Sequence, residues 1–430
     1  MNYRCSLYRF VFTAIALSLA TATVIAGSST ALDSPVQLDP GFGVSGQVNG
    51  TFSAPTQVES LAHFTSADGG SFALDKITDA FDGFNCPVNT DCLQLRKLFA
   101  DGTRDSGFNV PPAINFARLT VFFGASISTV SGAAQDSQNR VIVVGATAIS
   151  GGGTQIRVVR LLTNGLPDTS FSVDGIANID FDAGAFPGGV ELANAVAIDA
   201  QDRIVIAGST QRSSTDSDFA VMRLLSDGTL DNSFSNDGKT TVFFDLGNSN
   251  KNDTANAIDI APDGKITVAG SANDSTIGGR RIAIARFNSN GTPDTSFCPN
   301  ASCNANTPYT IINSGRRVGY YFALSAAQSD DVRDIAINDA TGALLVSGTS
   351  RNTGADFGFV QVFSQAGLLQ TETGTNGGAT DANLVLSIGS VMWTPPESIF
   401  STVILFGASG PSAGPQGQRF FRQQPWNRHH

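Results

Sequence analysis

Chemistry in this chain would have to come from aspartate. Only Glu59, Glu191, Glu372 and Glu397 are glutamate; every other acidic residue is Asp, many of them in turns such as "SDGTLDNSFSNDGK" (residues 226–239). Such a density of oxygens could ligate Ca2+, and paired carboxyls could do acid–base work on a glycosidic bond. "NDGK" (residues 236–239) and "DSDF" (residues 216–219) offer oxygens without EF-hand spacing or a nonapeptide Gly-Asp period. Asx turns account for both without a metal, so no cofactor is expected and Ca2+ binding is the alternative. Histidine is confined to His63, His429 and His430, too few for a Ser-His-Asp triad or a multi-His metal cage. His63, in "SLAHFTSADGG", reads as a packed or solvated strand residue. Asp is so abundant that no catalytic pair stands out.

The aspartates follow a frame. "ADGTRDSGF", "TNGLPDTSF", "SDGTLDNSF" and "SNGTPDTSF" share Gly-x-x-Asp-x-x-Phe, with Gly102, Gly165, Gly228 and Gly291 each 63 residues apart. The Asp residues are Asp105, Asp168, Asp231 and Asp294; the Phe residues are Phe108, Phe171, Phe234 and Phe297. Asn/Asp-Gly supplies the positive φ of a tight reversal, Asp can accept from nearby N–H groups, and Phe buries apolar surface at a seam. Five residues before each Gly stands a cation: Lys97, Arg160, Arg223 and Arg286. The three Arg sit in apolar runs ("VVRLL", "VMRLL", "IARFN"), where a charge needs a partner, and the Asp eight residues later is the candidate. In a fifth copy around Gly367 the cation is replaced by Val362 and the Asp by Gln370, so both partners go together. A sixth copy has Arg422 but ends before its Asp, while Asp39 and Phe42 stand near the N-terminus. Asp39 is therefore expected beside Arg422, with the N-terminal strand closing a ring.

Stepping out from these turns, the strands that carry them are legible. "NRVIVVGAT", "DRIVIAGST", "GKITVAGSA", "GALLVSGTS" and "STVILFGAS" recur, with "SFALDKI" a worn first copy, which makes six. Within one period "ANAVAID", "RIVIAGS", "DFAVMRLL" and "GKTTVFFD" read as four strands. Four strands per unit, six units and no amphipathic helix predict an all-β fold: a single six-bladed β-propeller of four-stranded blades. A β-helix would use shorter periods, and separate sandwiches would not hold so strict a register. The pattern "AxAID…DGKIxVAGS…FAxxRL…DGxxDxSF" resembles the delta-60 repeat family, grouped with β-propellers of unknown function in exported bacterial proteins. The resemblance covers about residues 36–425 and is strongest in the copies around Arg203 and Lys265. It implies the fold and carries no established activity or catalytic residues.

The N-terminus reads as a signal peptide over residues 1–26. Arg4 and Arg9 precede an apolar stretch (residues 10–25), and Val24-Ile25-Ala26 forms a small-residue cleavage site, with Ala31 a second possibility. The apolar stretch is short for an uncleaved anchor, and no other segment reads as a span. Residues 27–34 are then a linker and residues 35–430 the propeller of six repeats of about 63 residues. Cys86 and Cys92, and Cys298 and Cys303, form two close pairs beside Pro, which in an exported chain reads as local disulfides rather than zinc ligation.

Net charge is −11 with dispersed Arg, which excludes a nucleic-acid footprint. Departures from the repeat, at residues 109–130, 181–192, 298–328 and 371–396, point to one loop face as the place for a ligand. "SGRRVGYYFALS" gathers Arg316, Arg317, Tyr320 and Tyr321, and "SVMWTPPES" adds Trp393. Such residues suit a glycan, peptide or protein partner, and they also suit strands with apolar residues turned inward. The expectation is an exported, periplasmic or cell-surface binding or scaffold module rather than an enzyme. The alternative is an Asp-dependent enzyme acting on a polysaccharide or related polymer.

Overall fold

Runs such as "VIVVGATA" and "IVIAGST" are apolar and β-branched at consecutive positions, which suits a strand packed on both faces; their neighbours alternate. The computed structural model shows strands and no helix among its described residues. These are, apart from short breaks, residues 57–65, 70–78, 92–108, 127–246, 251–298, 310–319, 329–368 and 386–405.

The strands fall into six antiparallel units. Unit 1 holds β1 (Gln57–Thr65), β2 (Ser71–Thr78) and β3 (Cys92–Leu98); unit 2 holds β4 (Ile127–Gln135), β5 (Val141–Ala148), β6 (Thr154–Leu161) and β7 (Ile176–Ile179). Unit 3 repeats the pattern in β8 (Glu191–Ile198), β9 (Ile204–Ser213), β10 (Asp216–Leu224) and β11 (Lys239–Val242). Unit 4 holds β12 (Lys251–Ile260), β13 (Ile266–Asp274), β14 (Gly279–Phe287), β15 (Thr310–Asn313) and β16 (Arg316–Gly319). Unit 5 holds β17 (Ser329–Ile337), β18 (Leu344–Asn352) and β19 (Ala355–Phe363), and unit 6 holds β20 (Leu386–Thr394) and β21 (Ser398–Leu405). The first strands lie side by side in the order β1, β4, β8, β12, β17, β20.

The cores lie between units, not within them. Ile142, Val144 and Val158 of unit 2 pack on Ile204, Ile206 and Met222 of unit 3. Val205, Phe219 and Val221 of unit 3 meet Val268, Ala283 and Phe287 of unit 4, and Ile282 and Ile284 of unit 4 meet Leu344, Val346 and Phe359 of unit 5. Units 3 and 4 are thus apolar on both faces, because each is sandwiched, and a fully buried Phe or Leu contributes roughly 1.5–3 kcal/mol. This explains the two-faced apolar run of β9.

One regular irregularity shapes the first strands. Register shifts between Ala193 and Ala195, Ala255 and Ala257, and Val332 and Asp334 mark a β-bulge at the same place in units 3, 4 and 5. The bulge turns a carbonyl toward the second strand, where Gly208 and Gly270 stand. A Cβ at either would overlap the carbonyl oxygen of Leu192 or Thr254. The Gly of the "VAGS" motif is therefore there for close approach. The bulged Asn194 and Asn256 donate their amides to the carbonyls of Ala255 (2.9 Å) and Val332 (3.1 Å), linking first strand to first strand.

The expected all-β architecture is present, with differences in strand number among the described residues. Among the described residues, units 2 and 3 have four strands, units 1 and 5 three, unit 6 two, and unit 4 five, because a β15–β16 hairpin forms within the 298–328 insert. Units 3, 4 and 5 also run together through short parallel bridges, Asp216↔Lys251, Ser217↔Asn252 and Arg280↔Ser329. No sheet closes on itself among the described strands. Asp39, Phe42 and Arg422, on which closure by the N-terminal strand depends, lie outside the described residues.

Candidate functional site

Where β6, β10 and β14 leave the sheet, each enters the Gly-x-x-Asp-x-x-Phe turn, and there the repeated side chains meet. Arg160 Nε donates to Asp168 Oδ2 at 2.8 Å, Arg223 to Asp231 at 2.8 Å and Arg286 to Asp294 at 2.7 Å. The other carboxylate oxygen accepts the backbone N–H and hydroxyl of the residue two further on: Ser170 (3.0 and 2.6 Å), Ser233 (2.9 and 2.6 Å) and Ser296 (3.0 and 2.6 Å). The guanidinium stacks on the motif Phe, with Cζ 4.6 Å from the Phe171 centroid, 4.8 Å from Phe234 and 4.6 Å from Phe297. Arg160 and Arg223 are 2% exposed, so these are interior charges.

The third guanidinium contact crosses the seam. Nη1 of Arg160, Arg223 and Arg286 donates to the carbonyls of Ser226, Ser289 and Gln365, each in the following unit. The residue after each Phe donates across the same seam: Ser172 N–H to Asp227 O (2.9 Å), Ser235 to Asn290 O (2.8 Å) and Cys298 to Ala366 O (3.0 Å). Gly228 and Gly291 lie directly over the preceding unit's Phe ring, where an added Cβ would come within 2.9 Å of Phe171 or Phe234. The motif is thus an interunit clamp.

Electrostatics fit that role. Burial, the largest influence, pushes the Asp168 carboxyl up, but the Ser170 hydroxyl and amide together with Arg160 outweigh it and hold the group below the usual carboxylate range. Asp231 and Asp294 behave alike, with Ser233 and Arg223, and Ser296 and Arg286. A buried carboxylate occupied on both oxygens is poorly placed to ligate a cation or take a proton from substrate. In the first copy the clamp is looser: Lys97 Nζ stands 3.7 Å from Asp105, Gly107 replaces the Ser, and Phe108 packs edge-on against Phe72. In the fifth, Val362 is buried where the Arg would be, and Gln370 lies outside the described residues.

Sequence reasoning missed a second cation. Arg140 and Arg203, at the start of the second strands, each pair with the Asp four residues back, Asp136 (2.6 Å) and Asp199 (2.7 Å). Each also approaches the motif carboxylate, at 3.4 Å from Asp168 and 3.5 Å from Asp231. The signal was present as Asp-x-x-x-Arg before "VIVVG" and "IVIAG".

The opposite end of the units carries the hairpins between second and third strands and the connections into each first strand. In chain order the length-variable segments 109–130, 181–192 and 298–328 run into the first strands β4, β8 and β17, and 371–396 runs through β20. At the hairpin end ion pairs lie nearer the surface: Arg212, exposed, on buried Asp218 (3.7 Å), Lys251–Asp245 (3.4 Å) and Arg280–Asp331 (3.0 Å), the last joining units 4 and 5. Arg316 and Arg317 lie in β16, paired with Ala285 and Ile284, so they belong to a strand rather than a free loop. Trp393 lies in β20 opposite Ile399. Alternation in both segments satisfies a sheet edge, which is why they read equally as loop or strand. Tyr320, Tyr321, Cys86 and Cys303 lie outside the described residues; Cys92 is the first residue of β3, and Cys298 is buried in the seam between units 4 and 5. Among the described residues no three His, Cys, Asp or Glu side chains converge as metal ligands do.

Residues 138–171, 202–234 and 261–297 match a family described as "Domain of unknown function (DUF5122) beta-propeller". Each matched segment ends on a clamp Phe, and the three together cover less than half of the chain, so the match supports the β-propeller fold of these repeats. No curated protein matches the chain. Among solved structures, it is similar to an endo-arabinase from Bacteroides thetaiotaomicron at 13% identity, over 68% of this chain and 88% of that one, with a TM-score of 0.33. It is similar to the K499G mutant of NanB sialidase from Streptococcus pneumoniae at 10% identity (83% and 66% covered, TM-score 0.38). It is likewise similar to an ulvan lyase at 7% identity (80% and 79% covered, TM-score 0.41). At such overlap none of these lends its activity to this chain.

Proposed function

We propose that this chain is an exported binding or scaffold module, a six-bladed ring whose ligand face is the end bearing the hairpins and the variable connections. One observation carries the reading. The Asp, Arg and Phe of three repeats are consumed in interunit clamps, whereas the first strands, which follow the segments of irregular length in chain order, begin at the other end. Packing fixes the clamped positions and leaves the opposite end free to vary. That end presents alternating half-exposed charges, Arg212, Asp245, Lys251 and Arg280, suited to a polar partner such as a glycan or an extended peptide.

In this reading Tyr320 and Tyr321 flank the same face and Cys86–Cys92 pins one of its connections, whereas Arg316, Arg317 and Trp393 stand at the strand ends nearer the clamps and Cys298–Cys303 would pin the chain where it leaves a clamp; Asp39 meets Arg422 where the N-terminal strand completes the last blade. The enzyme alternative needs carboxyls open to a polymer. The described carboxyl most strongly driven to hold a proton, Asp253, is 0% exposed and out of reach of one.

The test is a glycan and peptide array probed with the mature chain, followed by Arg212→Glu and Arg280→Glu. A ligand is expected whose binding weakens at least about tenfold in the double variant, since two charge-pairing donors become like charges. A ligand unaffected by these changes but lost on substituting Asp101 or Asp227, exposed turn residues at the clamp end, would place the face at the wrong end.

A further inference from the structure

The corner where unit 3 hands over to unit 4 is acidic and under-satisfied. β10 and β12 begin side by side, with Asp216 paired in parallel with Lys251 and Ser217 with Asn252, so the following rung sets Asp218 beside Asp253. Paired residues of parallel strands face the same way, which gathers Asp216, Asp218, Lys251 and Asp253 on one side. The end of unit 3 folds over them: the Phe244 N–H donates to Asp253 Oδ2 at 2.7 Å, and Asp245 follows.

Asp253 is completely buried, and its Oδ1 has no hydrogen-bond partner. Asp216 Oδ1 and Asp245 Oδ1 share that condition, so three of the six such atoms among the described residues stand on this one corner. The nearby cations are committed elsewhere: Lys251 to Asp245 at 3.4 Å, Arg212 to Asp218 at 3.7 Å, and Arg281 to Asp274 at the end of β13. An ionised carboxylate that pairs with no cation and leaves one oxygen unbonded is costly to bury, so it takes up a proton instead. A neutral Asp253 gains an O–H, and the oxygens around it need a donor. One proton can therefore satisfy Asp253 and one neighbouring carboxylate together.

We propose that Asp253 is a proton-held latch between units 3 and 4: its O–H is donated to a carboxylate oxygen of the same corner, and losing that proton releases the end of unit 3 over residues 243–246. Three contacts give the latch its leverage. Asp253 holds the Phe244 amide of unit 3, its carbonyl lies 3.3 Å from the Ser217 hydroxyl, and its strand forms the first rungs with β10. At the next seam the same place is Asp330, also fully buried, but Gly279 and Arg281 stand where Asp216 and Asp218 stand here. In unit 3 the same place is Glu191, whose Oε1 accepts the Phe181 N–H at 2.8 Å, but Gly153 and Gln155 stand where Asp216 and Asp218 stand here.

Burial, the largest influence, pushes Asp253 to about 8; the Phe244 and Asp245 amides oppose it, while Asp218 and Asp245 add to it. The folded chain then holds a proton that the unfolded chain releases near its ordinary range. Stability from this group is complete below the unfolded pKa and declines as pH rises to the folded value, by up to about tenfold in the unfolding constant per pH unit.

The experiment compares thermal unfolding of the wild type and Asp253→Asn from about pH 5 to about pH 9, with tryptic cleavage after Lys251 as the local readout. Asn keeps an acceptor for Phe244 and brings a permanent donor, so D253N should lack this slope and overtake the wild type at the alkaline end. Cleavage at Lys251 should rise with pH in the wild type alone. Asp218→Asn, which leaves Asp253 in place, should move the wild-type midpoint to higher stability at alkaline pH by removing a like charge. Identical pH profiles for the wild type and D253N would overturn the latch, as would a D218N profile that coincides with the wild type. Recovery of the alkaline wild type by Ca2+, absent in D253N, would overturn it too, by making the corner a cation site.

Discussion

A guanidinium at the end of an apolar strand is tolerated here because every face of it is occupied. Arg223 has the Asp231 carboxylate, the Ser233 hydroxyl, the Ser289 carbonyl and the Phe234 ring around it. Arg223→Ala leaves Asp231 buried without its cation, so a loss of about 3–5 kcal/mol in unfolding free energy is expected by chemical denaturation. A change close to zero would mean that the side chain is solvated and the clamp unimportant. The Arg–Asp half of this arrangement was legible in sequence, because a charge recurring inside apolar runs demands a partner and only one Asp recurs with it. The Ser289 carbonyl was not legible, since every residue has one and only the path of the neighbouring unit selects it. The role of Arg203 was hidden for another reason: its short-range pair with Asp199 already accounts for its charge.

For the strands, alternation identified which segments pair but could not expose the bulge in each first strand. One additional residue shifts the pattern by a single position, and "ANAVAI" and "ANAIDI" remain acceptable strands either way. The evidence lay in the partner strand, where an unbranched Gly interrupts an otherwise β-branched run. Gly270→Ala would press a methyl group against the Thr254 carbonyl. A destabilisation of roughly 1–3 kcal/mol is expected in a melting experiment. If G270A melts with the wild type, the bulge carbonyl is not what keeps Gly in the motif. The Arg-rich insert left loop and strand both open for a related reason: a fourth strand and a loop both tolerate "RRVG", and only pairing with β14 decides between them.

Across the molecule, energy is concentrated at the seams, so its stability should behave as a sum over neighbours. Hydrogen exchange offers a direct check. The amides of Ser172, Ser235 and Cys298 each donate to the next unit. In Arg223→Ala, the Ser235 amide should exchange markedly faster, while Ser172 and Cys298, which report on other seams, keep their rates. Equal acceleration of all three would show that the units open together. The succession of repeats was legible because the 63-residue spacing is strict; the expected meeting of Asp39 with Arg422 lies outside the described residues, and no local pattern determines such a partnership.

The clamp also has a direction. Each Arg lends its last donor to the copy downstream, and the fifth unit accepts from Arg286 through Gln365 while offering only Val362 in return. A whole repeat copied in tandem upstream of that point would arrive with both halves of the joint already matched, the donor for its successor and the acceptor for its predecessor. Lengthening such an array by duplication would require no new surface to be invented, whereas a copy inserted after the fifth unit would meet a neighbour that cannot hold it.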